Sequence, residues 1–148
     1  DPWIRSCRTS PLMVIDTSAL IAILTDEPEA PGLEAAIEAD SVRLLSAASL
    51  VEASIVIESR YGEAGGRELD LLVREADMEV VAVSPEQAEL ARAAYRRFGR
   101  GRHPAGLNFG DCFSYALSVA TDEPLLFKGD DFSKTDIHTV ELASLGGR

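Results

Sequence analysis

Leu12-Met13-Val14-Ile15-Asp16-Thr17-Ser18-Ala19-Leu20-Ile21-Ala22-Ile23-Leu24-Thr25 reads as a strand, a turn and a helix. Leu12 to Ile15 is a short apolar run of the kind that forms a buried strand. Asp16 ends it, Thr17 and Ser18 offer caps, and an apolar-rich helix follows from Ala19 to about Thr25. The same alternation continues down the chain. Pro28 and Pro31 interrupt the first helix, a second short helix spans Gly32 to Ala39, and Val42 to Leu45 is the next strand. Ala48 to Tyr61 sets Leu50, Ala53, Ile57 and Tyr61 at helical spacing, with Gly62 as its stop. Gly65 to Ala76 gives a further helix through Leu69, Leu72 and Val73, and Met78 to Val83 is β-rich. Ser84-Pro85-Glu86-Gln87 combines a cap with proline at the first helical position. The helix it starts runs to Phe98, with Ala88, Ala91, Ala94, Tyr95 and Phe98 inward. Gly99 to Leu107 is an exposed loop, Asn108 caps a helix from Phe109 to about Ala120, and Pro124 to Phe127 is a strand. Gly129 to Phe132 turns, and Ile137 to Leu142 adds an edge strand. Strands separated by helices require crossover connections, so the fold class is α/β: a three-layer α/β/α sandwich on a mainly parallel sheet.

The chain has 148 residues, which suits one domain. Residues 1–12 read differently, as an upstream extension or an expression remnant, and 13–148 as the single domain. Apolar residues at 46% and charged residues at 26% are those of a globular protein. No run approaches a membrane span and no secretory leader is visible, so a cytoplasmic location is expected. Cys7 and Cys112 make neither a disulfide framework nor a thiolate metal site. A net charge of −11 opposes general binding to polyanions, but the sign reverses locally. No carboxylate lies between Glu89 and Asp111, where Arg92, Arg96, Arg97, Arg100 and Arg102 supply five of the 14 basic residues.

In an open parallel sheet, ligands bind beyond the carboxyl ends of the strands. The acids at such places are Asp16 after the first strand, Glu52 and Asp111 early in their helices, and Asp130 and Asp131 after the last strand. Brought together, they would repel one another and need a hard cation such as Mg²⁺ or Mn²⁺. Each also has a plainer reading. Ser49-x-x-Glu52 and Asn108-x-x-Asp111 have capping-box spacing, Asp16 can cap the helix after it, and Asp130 and Asp131 suit a turn.

Four stretches in order resemble the acidic motifs of PIN-domain nucleases of the VapC toxin type: Met13-Val-Ile-Asp16-Thr17-Ser18-Ala-Leu, Ser49-Leu-Val-Glu52, Leu107-Asn-Phe-Gly-Asp111-Cys-Phe-Ser-Tyr-Ala, and Leu125-Leu-Phe-Lys-Gly129-Asp130-Asp131-Phe132. The resemblance covers Met13 to Leu142. It implies a compact α/β/α fold, Mg²⁺-dependent endoribonuclease activity, homodimers, and a cognate antitoxin that blocks the site. It implies Asp16 and Asp111 as main metal ligands and Glu52 as a third acid. Many members carry an aspartate two residues before the Asp-Phe pair; Gly129 stands there in this chain, so Asp131 or Asp130 must supply the fourth.

A cation between Asp16 and Asp111 would polarise a phosphodiester and acidify a water, leaving 5′-phosphate and 3′-hydroxyl ends. Cleavage through the ribose 2′-hydroxyl would want paired histidines, and only His103 and His138 exist. Arg100, Arg102 and His103, in the loop before Asp111, are candidates for holding RNA phosphates, whereas Arg92, Arg96 and Arg97 also fit a solvated helix face. A Mg²⁺-dependent phosphatase with Asp16 as nucleophile is the rival enzyme, but the dehalogenase-like pattern Asp-x-Asp would need an acid where Ser18 stands. A non-catalytic binding module on the same fold is the rival of another class.

Overall fold

The structure, a computed structural model, describes residues 12–142. The reading of 1–12 as an extension lies outside these residues except at Leu12, which is already the first residue of a strand. The elements in chain order are β1 (Leu12–Ile15), α1 (Thr17–Leu24), α2 (Ala30–Ala39), β2 (Val42–Ser46), α3 (Ala47–Glu75), β3 (Met78–Val81), α4 (Pro85–Phe98), α5 (Phe109–Thr121) and β4 (Leu125–Leu126), then a 3-10 turn at Phe132–Lys134. All strand pairs are parallel, in the order β3-β2-β1-β4. The expected three-layer α/β/α architecture is what the chain forms.

Alternation along β1 divides the core in two, because successive strand side chains point to opposite faces. Met13 and Ile15 join Leu45 beneath α1, α2 and α3, with Leu20, Leu33, Ile57 and Leu69. Val14 joins Leu44 and Leu125 beneath α4 and α5, with Ala91, Ala94, Phe98, Tyr115 and Leu117. β1 therefore has no solvent face, which is why its sequence is a continuous apolar run.

The stop expected at Gly62 is present: Gly62 takes φ 67° and ψ −161°, breaking the Ala47–Glu75 stretch into two helical segments across a kink, and α3 is the label for both. Other expectations move. Tyr61 and Tyr95, assigned inward on spacing, are 56% and 39% exposed. The buried stripe of α4 runs instead through Gln87, Ala91, Ala94 and Phe98. The edge strand expected over Ile137 to Leu142 is reduced to one parallel bridge, Leu125 to Thr139. β4 is only two residues long and follows Pro124, so it offers Leu125 alone: its N–H donates to the His138 carbonyl and its carbonyl accepts from Val140.

The strand order fixes where a ligand belongs. From β1 the chain steps outward to β2 and β3, then returns past β1 to place β4 on its other side. The helices that follow β1 and those that lead into β4 lie on opposite faces of the sheet, and the crevice between the carboxyl ends of β1 and β4 is its topological switch point.

Candidate active site

Asp16 leaves β1 at that crevice. Its backbone N–H donates to the Leu126 carbonyl at 2.9 Å, which pins it to the end of β4. Its side chain is 2% exposed and has two partners. Oδ2 accepts from the Ser18 N–H at 2.9 Å, so Asp16 is the cap of α1. Oδ1 accepts from Ser114 Oγ of α5 at 2.5 Å. The plain capping reading is correct, and it accounts for one oxygen only.

Ser114 lies one helical turn beyond Asp111 and brings α5 onto Asp16. Its hydroxyl also meets Ser49 Oγ at 3.1 Å, and Thr17 Oγ1 donates to the Ser49 carbonyl at 3.1 Å. All three hydroxyl residues are buried, in a network that joins the starts of α1 and α3 to α5. Ser49 is therefore not the cap of α3. Ser46 is, accepting from the Ala48 N–H, and Glu52 is released from any capping box.

Asp111 does sit in a capping box. Its N–H donates to Asn108 Oδ1 at 2.9 Å, and its Oδ2 accepts from the Asn108 N–H at 3.0 Å. That leaves Oδ1 for another partner. Its pKa is raised to about 7, by burial first and then by the charges of Asp16, Glu52 and Asp131, against the pull of the Asn108 N–H. Burial likewise raises Asp16 and Glu52 above the usual carboxylate range; the Thr17 hydroxyl opposes the shift at Glu52, and Asp16 adds to it. The Glu52 carboxylate rests against the backbone of Gly110, the residue next to Asp111. Four acids from four parts of the chain thus share one field. Of the two candidates for the fourth position, Asp131 acts on Asp111; both it and Asp130 are exposed.

Such a group of like charges, all oxygen donors, suits a hard divalent cation. Among the described residues no three side chains of His, Cys, Asp or Glu form a ready-made cage. Mg²⁺ does not require one, because it keeps several waters and takes one or two carboxylates directly.

The basic strip divides. Arg92 pairs with Glu89 at 2.7 Å, and Arg97 pairs with Asp136 at 3.0 Å while lying over the Phe98 ring. Asp136 also accepts from Tyr115 Oη at 2.6 Å, so Arg97 tethers the C-terminal segment to α4 and α5. His103 Nδ1 accepts from the Ala105 N–H, and its ring meets Phe98 edge-on: it serves the loop. Arg100 and Arg102 are exposed and form no ion pair among the described residues, on a loop closed by two backbone bonds, from the Arg100 N–H to the Leu107 carbonyl and from the Leu107 N–H to the Phe98 carbonyl. Lys128 pairs with Glu27 at 2.6 Å, and its N–H donates to Ser18 Oγ, fastening the last acidic turn to α1.

The PIN domain family model matches residues 13–138. The chain belongs to the PIN-domain family. Within it, ribonuclease VapC30 of Mycobacterium tuberculosis is 62% identical over 130 residues, covering 88% of this chain and 99% of that one. Among solved structures, VapC20 of M. tuberculosis, a sarcin-ricin loop cleaving toxin, superposes with a TM-score of 0.72 at 17% identity, over 86% of this chain and 98% of that one. VapBC2 of Rickettsia felis, bound to a DNA fragment from its promoter, gives 0.65 at 13% identity, over 89% and 99%. The PIN-domain resemblance seen in the four motifs holds, and the VapC branch is the one these relatives occupy.

The sequence reading missed Ser114, Ser49 and Gly110. Ser114 had a signal: with Ser118, it is one of two polar residues among the buried positions of α5, beside Cys112, Tyr115, Ala116 and Leu117. Cys112, half a turn from it, is 4% exposed, and its thiol is raised to about 11, by burial first and then by the Asp111 charge. Only the thiolate reacts. Cys112 should accordingly resist alkylation at pH 8 in the native protein and react at once in denaturant, read by peptide mass mapping; fast native labelling would contradict this packing.

Proposed function

We propose that this protein is a divalent-metal-dependent endoribonuclease, the toxin of a toxin–antitoxin pair. The observation that carries the reading is geometric: Ser114 binds Asp16 to the helix that bears Asp111, and the Glu52 carboxylate rests against Gly110 of that helix, at the switch point of the sheet, in a chain 62% identical to a protein named as a VapC ribonuclease. Asp16 and Asp111 would hold Mg²⁺ or Mn²⁺, with Glu52 and Asp131 acting through water. When bound, the cation supplies polarisation of a phosphodiester oxygen and acidification of an attacking water.

The chain's own residues supply the rest. Ser114 and the Ser18 N–H fix the Asp16 carboxylate in one orientation, and the capping box does the same for Asp111. Asp111, raised to about 7, must give up its proton when the site loads, so activity should favour neutral to alkaline pH. Arg100 and Arg102 stand free to take the phosphates of flanking nucleotides. Ser18, whose Oγ accepts from Lys128 N–H, fills the place a phosphatase would give its second acid.

A partner antitoxin has surface to bind. Val51 and Ile55, 58% and 65% exposed, bracket Glu52 on α3, so a partner covering them would reach the acids. Exposed Phe109 beside Asp111 and the apolar cleft of about 380 Å³ between α4 and α5, lined by Ala91, Tyr95, Phe109, Cys112 and Phe113, support the expected homodimer.

The test is cleavage of transfer, ribosomal and messenger RNA by the purified protein with Mg²⁺, Mn²⁺ or excess chelator. Metal-dependent cuts bearing 5′-phosphate and 3′-hydroxyl ends are expected, abolished by co-expression with the product of the neighbouring reading frame. Binding without cleavage in any metal would establish a non-catalytic module instead, and chelator-insensitive cleavage would remove the metal from the mechanism.

A further inference from the structure

Gly110 is the second residue of α5, where alanine would be favoured over glycine by about 1 kcal/mol on helix propensity alone. Its backbone is helical, so no left-handed conformation calls for glycine there. The reason lies outside the helix. A Cβ at Gly110 would overlap Cδ and both carboxylate oxygens of Glu52, which reaches across from α3. Gly66 makes a comparable contact with Glu58, but Glu58 is exposed and on the same helix, where it can swing into solvent. Glu52 is half-buried, reaching from α3 to α5 with its carboxylate against Gly110.

We propose that Gly110 is a positioning residue whose missing side chain provides the seat for the Glu52 carboxylate, holding the acid of α3 against the helix that carries Asp111. The proposal rests on the active-site reading above for its consequence in catalysis, and on geometry alone for the seat. Asp111 cannot serve this purpose itself, since its own side chain is turned back into the capping box. A small residue immediately before it lets a third carboxylate approach from a helix that the sequence places some 58 residues earlier, the interval from Glu52 to Gly110.

The experiment compares Gly110→Ala, Glu52→Ala and the double variant in the full chain. Metal-free Gly110→Ala should melt no lower than the parent, because alanine is the better helix former. Its metal-free crystal structure should show Glu52 turned away from α5. Mn²⁺ affinity, by calorimetry, and RNA cleavage should each fall by about tenfold, the usual loss when a group that orients a metal site is disturbed. Adding Gly110→Ala to Glu52→Ala should cost nothing further in either. An unmoved Glu52, equal losses in both backgrounds, or a much lower melting temperature would each overturn the proposal, the last because the methyl group would then act on packing. Should the parent protein neither bind Mn²⁺ nor cleave RNA, the nuclease reading fails, while the metal-free structures still decide whether Gly110 seats Glu52.

Discussion

Asp16→Asn should leave the metal-free protein folded and as stable as the parent or a few degrees more so, while RNA cleavage falls by at least about 10²-fold, on the order of 3 kcal/mol of transition-state stabilisation. The stability half follows from the partners of the side chain. Asparagine keeps an oxygen for the Ser18 N–H, so the cap of α1 survives. Its amide nitrogen can donate to Ser114 Oγ, and that hydroxyl can turn its proton to Ser49 Oγ, 3.1 Å away. Every bond is remade without a buried charge, and burial is the main force against the ionised form at this position. The activity half follows from charge: a neutral amide is a poor ligand for a hard cation. Thermal melting in chelator and Mg²⁺-dependent cleavage are the two measurements. Normal cleavage by the variant would reduce Asp16 to a cap and remove the centre of the mechanism.

Most of the fold could be read from local pattern because its sheet is buried on both faces. β1 is a four-residue apolar run that no solvent-facing strand could be, and the caps at Ser84 and Asn108 mark helix starts where the structure has them. What failed was decided by tertiary neighbours. Tyr95 has the spacing of an inward residue, yet Ala91, Ala94 and Phe98 already fill the contact with α5. Ile137 to Leu142 has strand composition, but β4 is two residues long and can pair with only one position.

The candidate acids stand at the strand ends and helix starts where the sequence reading looked for them, while the sequence left Asp130 and Asp131 as alternatives because they are adjacent in a turn; of the two, it is the charge of Asp131 that raises Asp111. The hydroxyl network was hidden for another reason. Ser49 has the spacing of a cap, and only the structure shows that Ser46 takes that task and leaves Ser49 to bond Ser114, 65 residues away. Gly110 was invisible as well, since what it accommodates comes from a different helix.

In chelator, the protein should become less stable as pH rises from about 5 to about 8, the reverse of what paired surface carboxylates produce. The carboxyl of Asp111 is raised from 3.8 to about 7 by burial and by Asp16, Glu52 and Asp131. Between those values the native state holds a proton that the unfolded chain has released, so stability contributed by this group is present at low pH and is lost as pH climbs through about 7. Asp16 and Glu52 are shifted in the same direction and add to the slope. The loss should be on the order of 2 kcal/mol, less than the full shift would give because Asp111 keeps contact with solvent. That corresponds to roughly 5 °C in melting temperature for a chain of this size. Asp111→Asn should flatten the slope while preserving the cap, since an asparagine oxygen can still accept from the Asn108 N–H. Mg²⁺ competes with the proton for the same oxygens, so its stabilising effect should be larger at pH 8 than at pH 5.5. Melting curves across this range, with chelator and with Mg²⁺, for the parent and the variant, check the sign. A chelated parent protein whose stability holds flat or rises with pH, or a variant with the same slope as the parent, would show that Asp111 does not carry the strain of the acidic cluster.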